Sequence, residues 1–539
     1  MKIIRYIFSS HKHILISLLL LGAFLYFYNS NWGAPFYFHP DERNIASAVT
    51  QIRFPTEMNP HFFAYGSLPI YVIYFIGVAF NSISFDSSIY HVNFPQAILI
   101  SRLLSAFFAL ALIPLVYSIG RKLQDSTTGI ISAGLVALNP GIIQFAHFGT
   151  YEMWLTFFST LLFWCCLKII KYNSIRFFVY ASFILGILFS IKITSLILFP
   201  VPFIAYGIHL LKKSSPLKKI IQVFSLLIIS GCSITVVYTA TNPYVFIDTP
   251  AFISSMNYET AVGLGKLPVF YTQTFYETIP ILYQITHIFP FLINPIMTIV
   301  SLIGVPIILY LYIQQKNIRY GILLCFFFLL FLSQSFLFIK WTRNMVPTLP
   351  FLFLIIALVL SLAKNRLPHV LFVLFSINAL FSLSFFITAY VMPDSRVTAY
   401  ANAVKIMPKN ARILSEMYDL GITPYNSMYP NITLFNTYDT DANSTDFNYT
   451  TWKTALTDTD YIILPSQRVL QSRLQNEKRF PVGNRIYTQL LTETSNFKKI
   501  YETPCNIFCQ ITYLGDPLFR YEQTTAVFDR PTVIILKKQ

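Results

Sequence analysis

The chain has 539 residues, of which 55% are hydrophobic and 12% charged, with a mean hydropathy of +0.57; an ordinary soluble domain carries roughly 25% charged residues, so most of this sequence is built for lipid. Its formal net charge of +16 does not mark a nucleic-acid binder, because the basic residues punctuate apolar segments instead of clustering on one soluble face. The 52 Phe and 34 Tyr suit helices whose ends lie at a membrane interface and whose faces line a lipid-accessible cavity.

Lys2, Arg5 and Lys12 precede an apolar run from His13 to Tyr28 that lacks a convincing small-residue cleavage site, which predicts an uncleaved first span. Runs of roughly 20 apolar residues predict eleven transmembrane helices, at 13–29, 97–119, 127–145, 153–171, 176–191, 194–211, 219–239, 296–313, 320–339, 345–363 and 368–391. With a cytoplasmic N-terminus the inner loops hold sixteen cations: Lys2, Arg5, Lys12, Arg121, Lys122, Lys168, Lys171, Arg176, Lys212, Lys213, Lys218, Lys219, Lys316, Arg319, Lys364 and Arg366. The outer loops and outer helix ends hold seven, Arg43, Arg53, Arg102, Lys192, Lys266, Lys340 and Arg343. This is the positive-inside bias, and an odd span count then puts the C-terminus outside. A twelfth span at 67–80 would invert the basic loop at Arg121 and Lys122, so that segment is expected to be a re-entrant or interfacial helix in a long first outer loop, 30–96. The stretch 278–292, in the outer loop 240–295, is read the same way.

From Met392 the composition turns polar, with short apolar strands such as YIILP (461–465) and TVIIL (532–536). The expected organisation is therefore a transmembrane part, 1–391, and an extracytoplasmic domain, 392–539, with a small α/β or α+β fold. Sequons begin at Asn431, Asn443 and Asn448, and chance in an Asn- and Thr-rich stretch accounts for them. Cys165, Cys166, Cys232 and Cys325 fall in apolar segments as small packing residues, whereas Cys505 and Cys509 are candidates for a disulfide if the tail faces an oxidising compartment.

In a chain so poor in charge, ionisable residues at the outer ends of spans are the informative ones, since burying them is costly unless they face a cavity or a partner. FYFHPDERN (36–44) sets Asp41 and Glu42 directly after the first span, with His39 upstream. The same residues serve as a helix start, with Pro40 in the first turn and acids favoured by the dipole. Glu152 stands at the junction of the third and fourth spans, and Arg102, Lys192, Lys340 and Arg343 stand at matching depth, where snorkelling anchors are the commoner fate. Taken together they point to a site for an anionic lipid headgroup and an acid–base reaction.

This arrangement resembles the polytopic glycosyltransferases of the C-type fold, specifically the protein-mannosyltransferase-like group (family 39), whose bacterial members use polyprenyl-phosphate sugars. The matching stretches are HPDE (39–42), NPHFFAYGSLPIYV (59–72), SRLLSAFFALALIPLVYSIGRKL (101–123), FAHFGTYEMWLTFF (145–158), FSIKITSL (189–196), TNPYVFID (241–248) and RNMVPTLPFL (343–352), and FDRPTVIILKK (528–538) looks like the closing strand of bacterial members. The resemblance implies that Asp41 is the catalytic base, with Glu42 beside it, and that Glu152 is the acidic residue of the second outer loop. One departure stands out. Members that transfer aminoarabinose to lipid A have Glu-Lys-Pro-Pro where this chain reads AYGS (64–67), which argues against that subgroup and leaves metal dependence open.

The chemistry agrees with the residues. A polyprenyl phosphate is already a good leaving group, so one base suffices: it accepts the acceptor's proton while fixed cations stabilise the departing phosphate. The expected phosphate ligands are Arg343, Lys192 and Arg102, in that order, with Lys340 behind them, since Arg offers paired hydrogen bonds and Lys a point charge. These residues establish no cofactor, and Asp41, His39 and His61 are candidates for a divalent metal ion. The expected partners are a polyprenyl-phosphate-linked sugar, an acceptor that is a protein, lipid or glycan, and membrane lipids. The rival class is a lipid or solute transporter, against which stand the lack of self-similarity between halves and charges at helix ends instead of mid-span. A receptor-like scaffold is the weaker third reading.

Overall fold

The computed structural model describes residues 11–84, 89–213, 215–267, 269–363, 368–441, 445–492 and 494–539. The expected inner-loop cations Lys2, Arg5, Lys364 and Arg366 and the sequon at Asn443 lie outside these residues. The chain forms two compact units: Met1–Ser30, Asp41–Gly263 and Pro280–Ser382 make the first, and Asn31–Pro40, Leu264–Ile279 and Leu383–Gln539 the second.

The first unit is helical. Its elements are α1 (His11–Phe27), α2 (Pro40–Gln51), α3 (Leu68–Ile83), α4 (Phe94–Leu123), α5 (Ser126–Ala137), α6 (Pro140–His147), α7 (Glu152–Tyr172), α8 (Ile175–Ile191), α9 (Pro200–Lys213), α10 (Pro216–Thr241), α11 (Thr249–Gly263), α12 (Pro295–Gln315), α13 (Ile318–Ser335), α14 (Leu349–Ala363) and α15 (Pro368–Phe386). Among the described residues seven helical stretches are long and apolar enough to cross a membrane, or eight if α5 and α6 count as one broken span. Helix stands at each of the eleven expected positions, but α1, α8 and the stretch Ile193–Ile208 that runs into α9 are shorter apolar helices, as is α3, the segment expected to be interfacial or re-entrant.

Local chemistry sets the boundaries. Asn93, Asp125, Asn139 and Asn294 cap α4, α5, α6 and α12 by accepting a backbone N–H of the first turn, at 2.8–2.9 Å. The expected span 127–145 is bent by 52° at Asn139-Pro140, because proline lacks the N–H to continue the ladder and disfavours helix in the residue before it. The Asn139 amide turns instead to the Leu292 carbonyl, at 2.7 Å.

The second unit is built on a five-stranded mixed sheet, order β2-β1-β3-β5-β4, from β1 (Ile413–Glu416), β2 (Ile432–Phe435), β3 (Tyr461–Leu464), β4 (Phe497–Glu502) and β5 (Ile534–Lys538). β1 pairs in parallel with β2 and β3, while β5 runs antiparallel to β3 and β4 with Ile463 opposite Ile535. Both faces are covered: Leu414, Ile462, Leu464, Ile534 and Leu536 join one apolar cluster, Ile413, Tyr461, Ile463 and Ile535 the other. That is why β1 and β3 are buried at every position, and why β3 reads as an apolar run without alternation. Two segments expected in outer loops, Asn31–Pro40 and Leu264–Ile279, belong to this unit. The Arg396 guanidinium lies 3.6 Å from the Phe38 ring centroid, Phe270 stacks on Tyr418 at 4.4 Å, and Arg473 donates to Gln273 at 2.5 Å. Cys505 and Cys509 form a disulfide.

Candidate active site

The adjacent carboxylates of α2 have different surroundings. At 3.6 residues per turn, successive side chains leave a helix about 100° apart, so Asp41 and Glu42 cannot share one environment. Glu42 is sealed, with Arg102 donating to it through Nε at 3.0 Å and Nη2 at 2.6 Å and the Gly149 N–H adding a third bond at 2.6 Å. Both side chains are at most 1% exposed, and Arg102 also donates to the Ser30 carbonyl at 3.1 Å. Gly149 is needed for this approach: a Cβ there would stand 2.2 Å from the Ser101 hydroxyl. Arg102 therefore locks α2 to α4 and does not line the cleft expected to hold phosphate.

Asp41 instead forms an ion pair with Arg343, each side chain about a quarter exposed. Arg343 belongs to a 3-10 turn, Thr342–Thr348, that leads into α14. Its guanidinium lies 4.3 Å from the Trp341 ring centroid, and its Nη1 donates to the Tyr65 hydroxyl at 3.3 Å. The Lys192 ammonium sits 5.8 Å from the Tyr65 ring centroid, and that ring meets Tyr151 edge-on at 5.1 Å. Lys192 occupies the break between α8 and the 3-10 turn Ile193–Leu198.

Arg343, Lys192 and Glu152 line one cleft, together with Gln334, Asn344 and the apolar Leu155, Leu188, Ile197 and Leu330. Glu152 opens α7 and is 4% exposed, and its Oε2 has no hydrogen-bond partner. A buried acceptor of that kind costs about 1–3 kcal/mol, which makes it a natural contact for a hydroxyl-bearing ligand. The cleft thus joins two cations, an under-satisfied carboxylate and an apolar wall, with a second carboxylate held on Arg343.

Of the residues anticipated from sequence, the structure brings Asp41, Glu152, Lys192 and Arg343 together and leaves Glu42, Arg102 and Lys340 apart. Lys340 is buried, with its ammonium donating to the Phe338 carbonyl at 3.1 Å. Two residues were missed. Tyr65 carries no charge to draw attention, and Glu259 on α11, in electrostatic reach of Arg343, Lys192 and Asp41, has no motif around it in the sequence. The metal candidates do not assemble into a recognisable set. His39 packs its ring 4.2 Å from Phe528, His61 is exposed with a φ of 48°, and among the described residues no group of three or more His, Cys, Asp or Glu is placed to hold an ion.

Residues 73–238 match the family model described as dolichyl-phosphate-mannose-protein mannosyltransferase. No curated protein matches the sequence. Among solved structures, the oligosaccharyltransferase of Archaeoglobus fulgidus, tethered to an acceptor peptide, is similar at 12% identity over 98% of this chain and 88% of that one, with a TM-score of 0.49. ArnT from Cupriavidus metallidurans bound to undecaprenyl phosphate is similar at 10% identity over 97% of both chains, with a TM-score of 0.47. The protein O-mannosyltransferase complex of S. cerevisiae bound to its sugar donor is similar at 16% identity over 45% of this chain and 34% of that one, with a TM-score of 0.33. Over residues 73–238 the chain is thus similar to the protein-mannosyltransferase group of polytopic glycosyltransferases, the group its own motifs resemble.

Proposed function

We propose that this protein moves a sugar from a polyprenyl-phosphate carrier to a hydroxyl acceptor on the extracytoplasmic side of the membrane, in one inverting displacement. The observation that carries the reading is the pairing of Asp41 with Arg343, the cation that shares a cleft with Lys192 and Glu152. The family description adds a prenyl-phosphate sugar as donor. In this reaction the acceptor oxygen bonds to the anomeric carbon as the bond from that carbon to the phosphate oxygen breaks. Asp41 takes the hydroxyl proton, and the prenyl phosphate leaves with the bonding pair and one further negative charge, which Arg343 and Lys192 stabilise. Glu152 accepts a hydrogen bond from a hydroxyl of the sugar or the acceptor. Glu42 and Arg102 act on the reaction only by fixing α2.

Residues 1–391 make up the transferase part in this reading, with 392–539 as an extracytoplasmic domain, and the protein resides in a bacterial plasma membrane with its N-terminus in the cytoplasm. The sixteen-to-seven cation bias supports that orientation, as does a disulfide in the C-terminal unit. Reporter fusions at Arg121 and Gln539 should report opposite compartments, and one shared compartment would show the span count to be wrong.

Purified protein is expected to release polyprenyl phosphate from at least one sugar in a panel of polyprenyl-phosphate sugars when an acceptor is supplied. Movement of the intact lipid or sugar across a vesicle membrane with no bond broken would favour the transporter instead. Arg343→Ala should weaken donor binding about 10- to 100-fold, the value of a charge-assisted hydrogen bond, and leave acceptor binding near normal. Arg343→Lys should recover part of the loss, because an ammonium does not restore paired hydrogen bonds to phosphate. Unchanged donor affinity in Arg343→Ala would reassign that residue to anchoring.

A further inference from the structure

Between α2 and α3 the chain runs as a strap, Ala64-Tyr65-Gly66-Ser67, that is hydrogen-bonded to the ends of α8 and α10. The Gly66 N–H donates to the Ile191 carbonyl at 2.9 Å, and the Ser67 N–H donates to the Asn242 side chain at 2.6 Å. Gly66 cannot be replaced without moving the strap, since a Cβ there would stand 1.9 Å from the Ser190 carbonyl oxygen. The backbone contact at Ile191 falls one residue before Lys192. The strap is therefore held where the residue preceding Gly66 meets both cations of the cleft: the Tyr65 ring lies under the Lys192 ammonium and its hydroxyl lies against Arg343.

The hydrogen bonding of that hydroxyl is one-sided. Arg343 donates to the Tyr65 oxygen, so the phenolic hydrogen points elsewhere, and among the described residues it is donated to no protein acceptor. No carboxylate comes within ion-pair distance of Lys192 among the described residues either. A phenolic donor beside a guanidinium, with an ammonium over its ring, is arranged for an anion with several acceptor oxygens, because each group can then give a separate hydrogen bond to it.

We propose that Tyr65 is a third donor-binding residue, giving its hydroxyl hydrogen to the phosphate of a long-chain prenyl phosphate beside Arg343 and Lys192, with Gly66 as the residue that permits its approach. The proposal rests on the transferase reading above and adds to it the group that completes phosphate recognition. Tyr65 makes no contribution to proton transfer in this scheme. Its effect falls on donor affinity, and its ring keeps Lys192 in place through cation–π attraction.

The test uses the full-length protein in detergent with undecaprenyl phosphate as the probe, and undecaprenol and inorganic phosphate as comparison ligands. The unsubstituted protein is expected to bind undecaprenyl phosphate well above both comparison ligands. Tyr65→Phe keeps the ring and removes the hydroxyl, so it should weaken undecaprenyl phosphate binding about tenfold, leave undecaprenol binding unchanged, and preserve the thermal midpoint. In turnover it should raise the donor KM with kcat and the acceptor KM little changed. Tyr65→Leu should weaken binding further, because the platform for Lys192 is also lost. Absence of undecaprenyl phosphate binding by the unsubstituted protein would overturn the transferase reading and this proposal with it. Normal binding by Tyr65→Phe, or a fall in kcat at unchanged donor KM, would overturn the proposal alone. A dependence on Tyr65 seen equally with inorganic phosphate would show an anion site without preference for the lipid, and would also overturn it.

Discussion

Asp41→Asn is expected to insert, fold and bind a polyprenyl-phosphate donor while losing nearly all sugar transfer. An amide cannot take the acceptor's proton, and loss of a positioned general base commonly costs on the order of 10²- to 10⁴-fold in rate. The structural consequences are small by comparison. Asp41 lies in the first turn of α2, where a carboxylate near the dipole contributes about 0.3–1 kcal/mol, and the amide oxygen of Asn can still accept a hydrogen bond from Arg343, the partner of Asp41. Arg343 also keeps its place over the Trp341 ring. Single-turnover transfer from a radiolabelled donor, measured beside donor binding and thermal stability, separates the two roles. Near-normal transfer by Asp41→Asn would move the search for the base to Glu152 or Glu259, since Glu42 is fully buried against Arg102.

The membrane part was legible because apolar length is a strong signal, and helix stands at each of the eleven expected positions. The breaks within it were less legible. The bend at Asn139-Pro140 interrupts a run that reads as one span, and the 3-10 turns carrying Arg343 and following Lys192 sit inside apolar stretches whose composition does not mark them. Those breaks matter to the candidate site, for both cations proposed to bind phosphate stand at them. Strands β3 and β5 were visible as YIIL and TVIIL, yet β5 lies between β3 and β4, a pairing that only the fold decides. Nothing in the sequence of 31–40 or 264–279 announced that these pieces pack into the second unit, because their partners Arg396, Tyr418 and Arg473 lie more than a hundred residues away.

The candidate site was legible in its residue types and only partly in its pairings. Charge at the outer end of a span selected Asp41, Glu152, Lys192 and Arg343 correctly as neighbours, but it selected Arg102 and Glu42 by the same rule. What separates them is partner choice: Arg102 meets Glu42 sixty residues upstream and the two neutralise each other out of solvent. Tyr65 shows the converse. It carries no charge and sits where a related subgroup has a lysine, so absence of that lysine read as a loss, whereas the structure sets a phenol there with Lys192 over its ring.

Arg102→Met is expected to be the most destabilising single change near the site, and it distinguishes a structural arginine from a phosphate ligand. The substitution leaves Glu42 buried, keeping the Gly149 N–H as a donor but losing both bonds from the guanidinium, and strips the Ser30 carbonyl of its donor. Removing one partner of a buried ion pair costs about 3–5 kcal/mol, because the remaining charge has neither water nor a counter-ion. Replacing both partners is less damaging. Arg102→Met combined with Glu42→Gln removes the stranded charge, keeps an oxygen to accept from Gly149, and should recover most of the lost stability. The measurement is the thermal unfolding midpoint in detergent for the parent, the two single variants and the double variant, beside undecaprenyl phosphate binding at a temperature where each remains folded. A large drop for Arg102→Met, recovery in the double variant and near-normal lipid binding by the folded double variant assign Arg102 to the lock between α2 and α4. Normal stability in Arg102→Met with loss of lipid binding would instead return it to the phosphate site expected from its position in the sequence.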